Sequence, residues 1–216
     1  LLWDLDPQGA ASYVLRIRPR VKGGAKALIR GSRTLTDAVK GTDFEGLDLL
    51  PADFTYRNMD LALHQAKKST RQISRLLGPL ASEYDVVFLD CPPSISLVSE
   101  NILHAVDTLI VPLIPTTLSE RTFDQLTGFI ESLNGNRPDV LAFFSMADRR
   151  KRLHREIITR LPAERPGIAE AVIPAMTLVE QMAVRRAPVT AFSPRSAAAQ
   201  RYRLLWSELR SRSSLA

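Results

Sequence analysis

Apolar residues gather in six short runs, at 1–5, 47–50, 86–89, 108–113, 140–144 and 171–173. Short runs of Leu, Val, Ile and Phe without polar alternation suit strands buried on both faces of a parallel sheet. Between most of these runs the apolar period becomes helical. Residues 60–81 predict a helix or a helix pair, ended by the turn chemistry of Gly78-Pro79. Residues 119–133 place Phe123, Leu126, Ile130 and Leu133 at helical spacing, and Asn134-Gly135 stops the run. Residues 149–161 predict a basic helix, and 194–210 a final helix with Ser193 as its N-cap. Strands alternating with helices predict an α/β fold, a mainly parallel twisted sheet flanked by helices. Residues 16–33 are the least regular stretch and read as an exposed loop, with Ser32 or Thr34 capping a short helix that follows.

A chain of 216 residues fits one domain spanning 1–216, with no repeat or low-complexity linker to divide it. No apolar run reaches 18 residues, so no membrane span is expected, and no basic-then-apolar leader opens the chain. The single cysteine, Cys91, excludes an internal disulfide, argues against an iron–sulfur cluster and fits a reducing cytosol. The net charge of +6 suits an anionic partner such as nucleic acid. Charge alone fits a merely soluble basic protein as well.

The candidate chemistry lies at strand ends. Asp4 and Asp6 close the first apolar run, and Asp90 closes the third. Carboxylates just past parallel strands face the crevice where such sheets bind ligands. Magnesium bound to a nucleotide takes hard oxygen ligands and keeps several waters, so carboxylates often hold it at one remove. The plain alternative is that each aspartate caps the helix after its strand. That suffices for one of them and poorly for three in this order with Pro7-Gln8-Gly9 and Pro92-Pro93 attached.

Asp4-Leu5-Asp6-Pro7-Gln8-Gly9 resembles the signature that follows the phosphate loop in ParA-type partition ATPases, relatives of MinD. Asp90-Cys91-Pro92-Pro93-Ser94 is similar to their Walker B strand end. Ile173-Pro174, Ala187-Pro188-Val189 and residues 194–202 resemble the family's closing pattern, and the matches run in order from Leu1 to about Leu209. The resemblance implies a P-loop NTPase-like fold that uses ATP and Mg²⁺. It makes Asp6 the residue that positions or activates the attacking water, Asp90 the magnesium carboxylate acting through water, and Asp4 a support for the metal or the nearby switch segment. Gln8 and Pro92 belong to the same nucleotide-binding motifs. Met146, within Ser145-Met146-Ala147-Asp148, and Pro174 stand where relatives contact adenine.

The family's glycine-rich phosphate loop, with its two lysines, does not occur in residues 1–216. By resemblance it belongs about 30 residues before Leu1, so we expect the first strand, the P-loop and the first helix to be missing here. A fragment so cut is expected to be inactive, with apolar surface left open and a tendency to aggregate. Lys22-Gly23-Gly24-Ala25-Lys26-Ala27 is a decoy: it follows the first aspartate strand and lacks the Ser or Thr after the lysine.

The densest basic run is Asp148-Arg149-Arg150-Lys151-Arg152-Leu153-His154-Arg155. On a helix, Arg149, Arg152 and Arg155 share nearly one face, and with Arg150 they are the candidates for contact with DNA phosphates. The alternative is a solvated face paired with Glu156 and Asp148. Arg185, Arg186, Arg201 and Arg203 are second-tier candidates. His154 and Cys91 read as structural. The resemblance implies an ATP-bound homodimer that binds DNA non-specifically, an activating or cargo adaptor of the ParB type, and a cytoplasmic, nucleoid-associated setting with a plasmid, chromosome region or protein assembly as cargo. Two alternatives stand beside it: a non-hydrolysing DNA-binding scaffold, and a MinD-like positioner on a membrane surface. For the last helix, with Leu204, Leu205, Trp206 and Leu209 beside arginines, core packing is expected over membrane contact.

Overall fold

The structure is a computed structural model that describes residues 1–93, 96–135 and 137–212. It forms two compact units, Leu1–Val106 and Asp107–Ala216. The first holds β1 (Leu2–Asp4), α1 (Ala10–Val14), α2 (Gly24–Ile29), β2 (Lys40–Gly41), β3 (Asp48–Leu50), α3 (Met59–His64), α4 (Gln72–Leu77), β4 (Phe88–Asp90) and α5 (Leu97–Leu103), with several 3-10 turns between them. The second holds β5 (Thr108–Leu113), α6 (Thr117–Ser132), β6 (Asp139–Ala147), α7 (Arg152–Glu164), β7 (Ile168–Pro174), α8 (Thr177–Arg185), α9 (Val189–Phe192) and α10 (Ala197–Arg212).

In the first unit the strand order is β2-β3-β1-β4. β1 runs parallel to β3 and to β4, and only the short β2 is antiparallel. Trp3 and Leu5 at the centre of this sheet are almost fully buried, and they pack with Leu50, Leu63, Ile73 and Leu80. Each such side chain contributes roughly 1.5–3 kcal/mol by leaving water. In the second unit β6 pairs in parallel with β5 on one side and β7 on the other. Leu113, Phe123, Phe144, Ile157 and Leu161 form its main core. The outer edge of β7 is covered by α10: Glu208 accepts from the backbone N–H groups of Glu170 (3.0 Å) and Ala171 (3.1 Å). A carboxylate therefore satisfies donors that an exposed strand edge would otherwise present. Leu209 is buried against Leu141 and Ala169, as expected of a packing helix, while Leu204 stays exposed.

The six predicted strands are all present, and the fold is α/β with a mainly parallel sheet, as expected. Several boundaries differ. Residues 60–81 form the helix pair of the two forms expected: the chain breaks between α3 and α4, where Lys68 takes a left-handed φ of 52°. Residues 16–33 are not all exposed loop. They contain α2, whose Ala25, Leu28 and Ile29 are buried. The organiser is Asp53, which the apolar pattern does not show: it accepts from Val21 N (2.8 Å) and from both donors of Thr55, and the Thr55 hydroxyl accepts from Ala25 N (2.9 Å). Burial pushes the Asp53 carboxyl up, but these bonds outweigh it and its pKa ends lowered. The final helix starts at Ala197, and Ser196, not Ser193, accepts a first-turn N–H, that of Ala199. The basic helix starts at Arg152, so Arg149 and Arg150 lie in the turn before it. The expected single face of Arg149, Arg152 and Arg155 is therefore not a face of one helix.

Candidate functional site

β1 and β4 are parallel neighbours in direct register, and Asp4 stands opposite Asp90. The Leu5 N–H continues the pairing by donating to the Asp90 carbonyl at 2.9 Å. Both strands therefore deliver carboxylates to the same carboxyl edge of the sheet. Asp6 follows one step beyond β1. Its Oδ1 accepts from the Gln8 N–H at 2.9 Å, and its carbonyl accepts from Gly9 N. This Asx-type turn fixes the side chain while leaving Asp6 half-exposed. Gly9 completes the turn at φ 68°, where an added Cβ would meet Pro19 and Ala52 at 3.3 and 3.4 Å.

Asp4 differs from the other two. It is wholly buried, and its Oδ2 accepts from both the backbone N–H and the hydroxyl of Ser12, each at 2.7 Å. The Ser12 hydroxyl in turn accepts from Ala52 N at 2.9 Å. Asp4 thus ties β1, α1 and the segment after β3 together. Ser12 is a site residue that the sequence pattern does not reveal, because a lone serine in a polar stretch carries no period. The Asp4 Oδ1 is buried with no hydrogen bond of normal geometry among the described residues. Burial raises the Asp4 pKa against the pull of the Ser12 bonds, and the Asp6 charge adds to the rise.

Asp90 ends β4 with its side chain open to solvent and no hydrogen bond or ion pair among the described residues. Its pKa is raised, first by partial desolvation at the strand end and then by the charges of Asp4 and Asp6. That electrostatic coupling places three carboxylates in one neighbourhood. The excess negative charge and the hard oxygen donors fit a divalent cation such as Mg²⁺. Among the described residues no group of three or more His, Cys, Asp or Glu has the geometry to hold a metal alone. Pro92 follows within the half-buried turn, and Ser94 of the same motif lies outside the described residues. The Cys91 thiol donates to the Leu89 carbonyl, and burial pushes its pKa up to about 12, which marks an inert structural thiol.

The two upward shifts have a definite consequence. Below the usual carboxylate range these groups are protonated in both states and favour the folded unit. That advantage is lost as pH rises through their raised pKa values, and at neutral pH the charges repel. Asp90→Asn is therefore expected to raise the thermal midpoint by about 1–3 °C at pH 7 without nucleotide or magnesium, the gain shrinking toward pH 4. Thermal scans across pH check it; a lowered midpoint at pH 7 refutes it.

On the second unit, Met146 sits near the end of β6, 58% exposed and with a left-handed φ of 52°. Pro174 ends β7 in register with Ala147, and Ala175 N donates to the Ala147 carbonyl at 3.0 Å. The two adenine candidates thus stand on adjoining strand ends of this unit. His154 is buried, and its Nδ1 accepts from Asp148 N at 3.1 Å, which makes it a loop anchor. The arginine run is more occupied than its sequence shows. Arg150 pairs with Asp148 through two side-chain bonds, Arg152 pairs with Glu156, and Arg155 donates to the carbonyls of Arg149 and Arg150. Asp148 is held at a pKa of about 2 by Arg150.

The AAA domain family matches this chain over residues 1–142. The chromosome partitioning protein ParA of Caulobacter vibrioides is 29% identical over 220 residues, which cover 98% of this chain and 82% of that protein. A Borrelia burgdorferi structure described as a plasmid partition protein bound to AMPPNP superposes with a TM-score of 0.83 at 18% identity, over 98% of this chain and 86% of the other. Cobyrinic acid a,c-diamide synthase from Mycobacterium smegmatis, with bound ATP analog and magnesium, gives a TM-score of 0.74 at 25% identity, over 99% and 83%.

Proposed function

The chain belongs to the ParA/MinD-type partition ATPase family, and from that premise we propose that the full-length protein is an ATP-dependent dimerisation switch. The ATP-bound homodimer binds DNA non-specifically and moves or holds a cargo, and hydrolysis stimulated by an adaptor protein releases it. Residues 1–216 act as one nucleotide-binding domain, a reading supported by relatives aligned along 98% of the chain. No helix among the described residues is long and apolar enough to cross a membrane. We assign the protein to the cytoplasm, in association with the nucleoid.

The observation that carries the reading is the pairing of Asp4 with Asp90, and Asp6 just beyond, at one edge of two parallel strands. A magnesium–ATP complex supplies the phosphoryl group to be transferred. This chain's part is electrostatic and positional. Asp90 offers open oxygens to the cation's waters. Asp6, with one oxygen tied to Gln8, keeps the other free to orient an attacking water. Asp4 holds the segment that carries Asp6 through its bonds to Ser12. Gln8 and Pro92 shape the nucleotide-facing turns. Met146 and Pro174 are our candidates for contact with the base. Arg149, which among the described residues makes no ion pair or side-chain bond while its neighbours do, leads Arg150, Arg152 and Arg155 as a DNA contact.

The test measures ATP turnover by the full-length protein with and without duplex DNA, and its retention on DNA with ATP or ADP. Turnover together with ATP-dependent retention is expected. Retention that ignores nucleotide, with no turnover, rejects the switch and favours a non-hydrolysing scaffold.

A further inference from the structure

The first unit carries a groove of about 1290 Å³ between α2, α3 and α4. Six cations line it: Lys26, Arg30, Lys67, Lys68, Arg71 and Arg75. No Asp or Glu lines it. Arg75 is committed, since its Nη2 donates to the Ile29 carbonyl at 2.9 Å. The other five take part in no ion pair among the described residues, unlike Arg150, Arg152, Arg160 and Arg165 of the second unit. Five unneutralised cations around one concavity form an attractive field for negative charge.

The groove is not merely basic. Leu61, Ala62 and Ala66 contribute apolar surface to it, and Leu61 is 66% exposed. A large aliphatic side chain left open inside a ring of cations fits an occupant that is both acidic and apolar. Duplex DNA has no apolar face to lay against Leu61, and its backbone favours broad basic surfaces over an apolar-floored recess.

The wall bearing Lys67, Lys68 and Arg71 is also held in place. Asn101 on α5, wholly buried, accepts from Gln72 N at 2.9 Å and donates to the carbonyls of Ser69 (2.6 Å) and Leu97 (2.9 Å). The Gln72 side chain donates to the carbonyls of Lys67 and Lys68. These bonds satisfy backbone groups of the turn and short 3-10 helix between α3 and α4 and fix where their cations project. The rim is thereby set before an occupant arrives, which lowers the ordering cost of binding.

We propose that this groove is the docking site for an acidic amphipathic helical segment of a partner protein. The apolar face of the segment lies on Leu61, Ala62 and Ala66, and its carboxylates meet Lys26, Arg30, Lys67, Lys68 and Arg71. This is the helix-in-groove mode of recognition with a charged rim. It does not depend on nucleotide, so it stands or falls separately from the switch.

The probe is a fluorescent 18-residue peptide with Leu at helical spacing and Glu on the flanks. A second peptide has the same composition in scrambled order, and a third probe is a labelled 20-base-pair duplex. Anisotropy titrations use the full-length protein without nucleotide. Saturable binding of the patterned peptide, at least tenfold tighter than the scrambled one, is expected. Lys67→Glu with Lys68→Glu should weaken it tenfold or more. Leu61→Ser, an exposed change with little reason to disturb folding, should weaken it several-fold without altering the salt dependence. Equal binding of the two peptides overturns the amphipathic occupant. Absence of saturable peptide binding up to 1 mM overturns the site. If Lys67→Glu with Lys68→Glu abolishes duplex binding and spares the peptide, the groove is a nucleic-acid surface and the proposal fails.

Discussion

Asp6→Ala in the full-length protein is expected to lower ATP turnover by about 10²–10⁴-fold while ATP binding persists. The reasoning is geometric. Asp6 is half-exposed, and its side chain's hydrogen bond among the described residues runs from Gln8 N to one carboxylate oxygen. Removing the side chain frees an exposed N–H that water can satisfy, so stability should change by no more than about 1 kcal/mol. A large loss of turnover would then report the lost positioning of water and not a damaged fold. Asp4→Ala is the instructive contrast. That change leaves the Ser12 N–H and hydroxyl without their buried acceptor, so it should cost stability and turnover together. Single-turnover phosphate release, binding of a fluorescent ATP analogue and thermal midpoints separate the cases. Asp6→Ala turnover within threefold of wild type would remove Asp6 from the proposed mechanism.

That contrast also marks how far the sequence reaches. Asp4 and Asp6 look equivalent in the motif, two residues apart at a strand end. In an uninterrupted strand, residues two apart would share a face; only the structure shows that β1 ends at Asp4, which is buried on Ser12, and that Asp6 lies in the turn beyond it and opens outward. The strands themselves were legible because continuous apolar runs have few other uses in a chain of this composition. The parallel arrangement followed from the helices between them. What was not legible depends on polar residues acting over long sequence separations. Asp53 reaches back 32 residues to Val21, and Asn101 reaches back 29 to Gln72. Neither bond leaves a periodic trace. Without Asp53 in view, residues 16–33 read as loop although they contain α2. Without Asn101 in view, residues 60–81 read only as a helix or a helix pair, and nothing marks Lys67-Lys68-Ser69-Thr70-Arg71 as the rim of a groove.

The arginine run has two readings in the sequence, a DNA-facing stripe and a solvated face paired with Glu156 and Asp148, and the structure shows both of those pairs, with Arg152 and Arg150. Charge density in a sequence measures supply, and a basic surface also depends on which carboxylates the fold brings near. In the first unit, five cations around the groove have no ion-pair partner among the described residues.

The same long-range polar bonds make Asn101 the position where one substitution should cost most stability. Asn101→Leu is expected to destabilise the first unit by about 3–5 kcal/mol. The side chain is wholly buried, and it satisfies the Gln72 N–H and the Ser69 and Leu97 carbonyls, with a longer contact to the Ile73 N–H. Leucine matches it in size and can make none of these bonds, so the loss is one of unsatisfied buried groups and not of volume. A fall of roughly 10 °C or more in the thermal midpoint should follow. Amide exchange should locate the damage, with the Gln72 and Ile73 amides losing protection first. Because the same bonds hold the rim that carries Lys67 and Lys68, the surviving folded protein should also bind the patterned acidic peptide less tightly. A midpoint within 2 °C of wild type would show that water replaces the side chain, and that the segment between α3 and α4 is held by something other than Asn101.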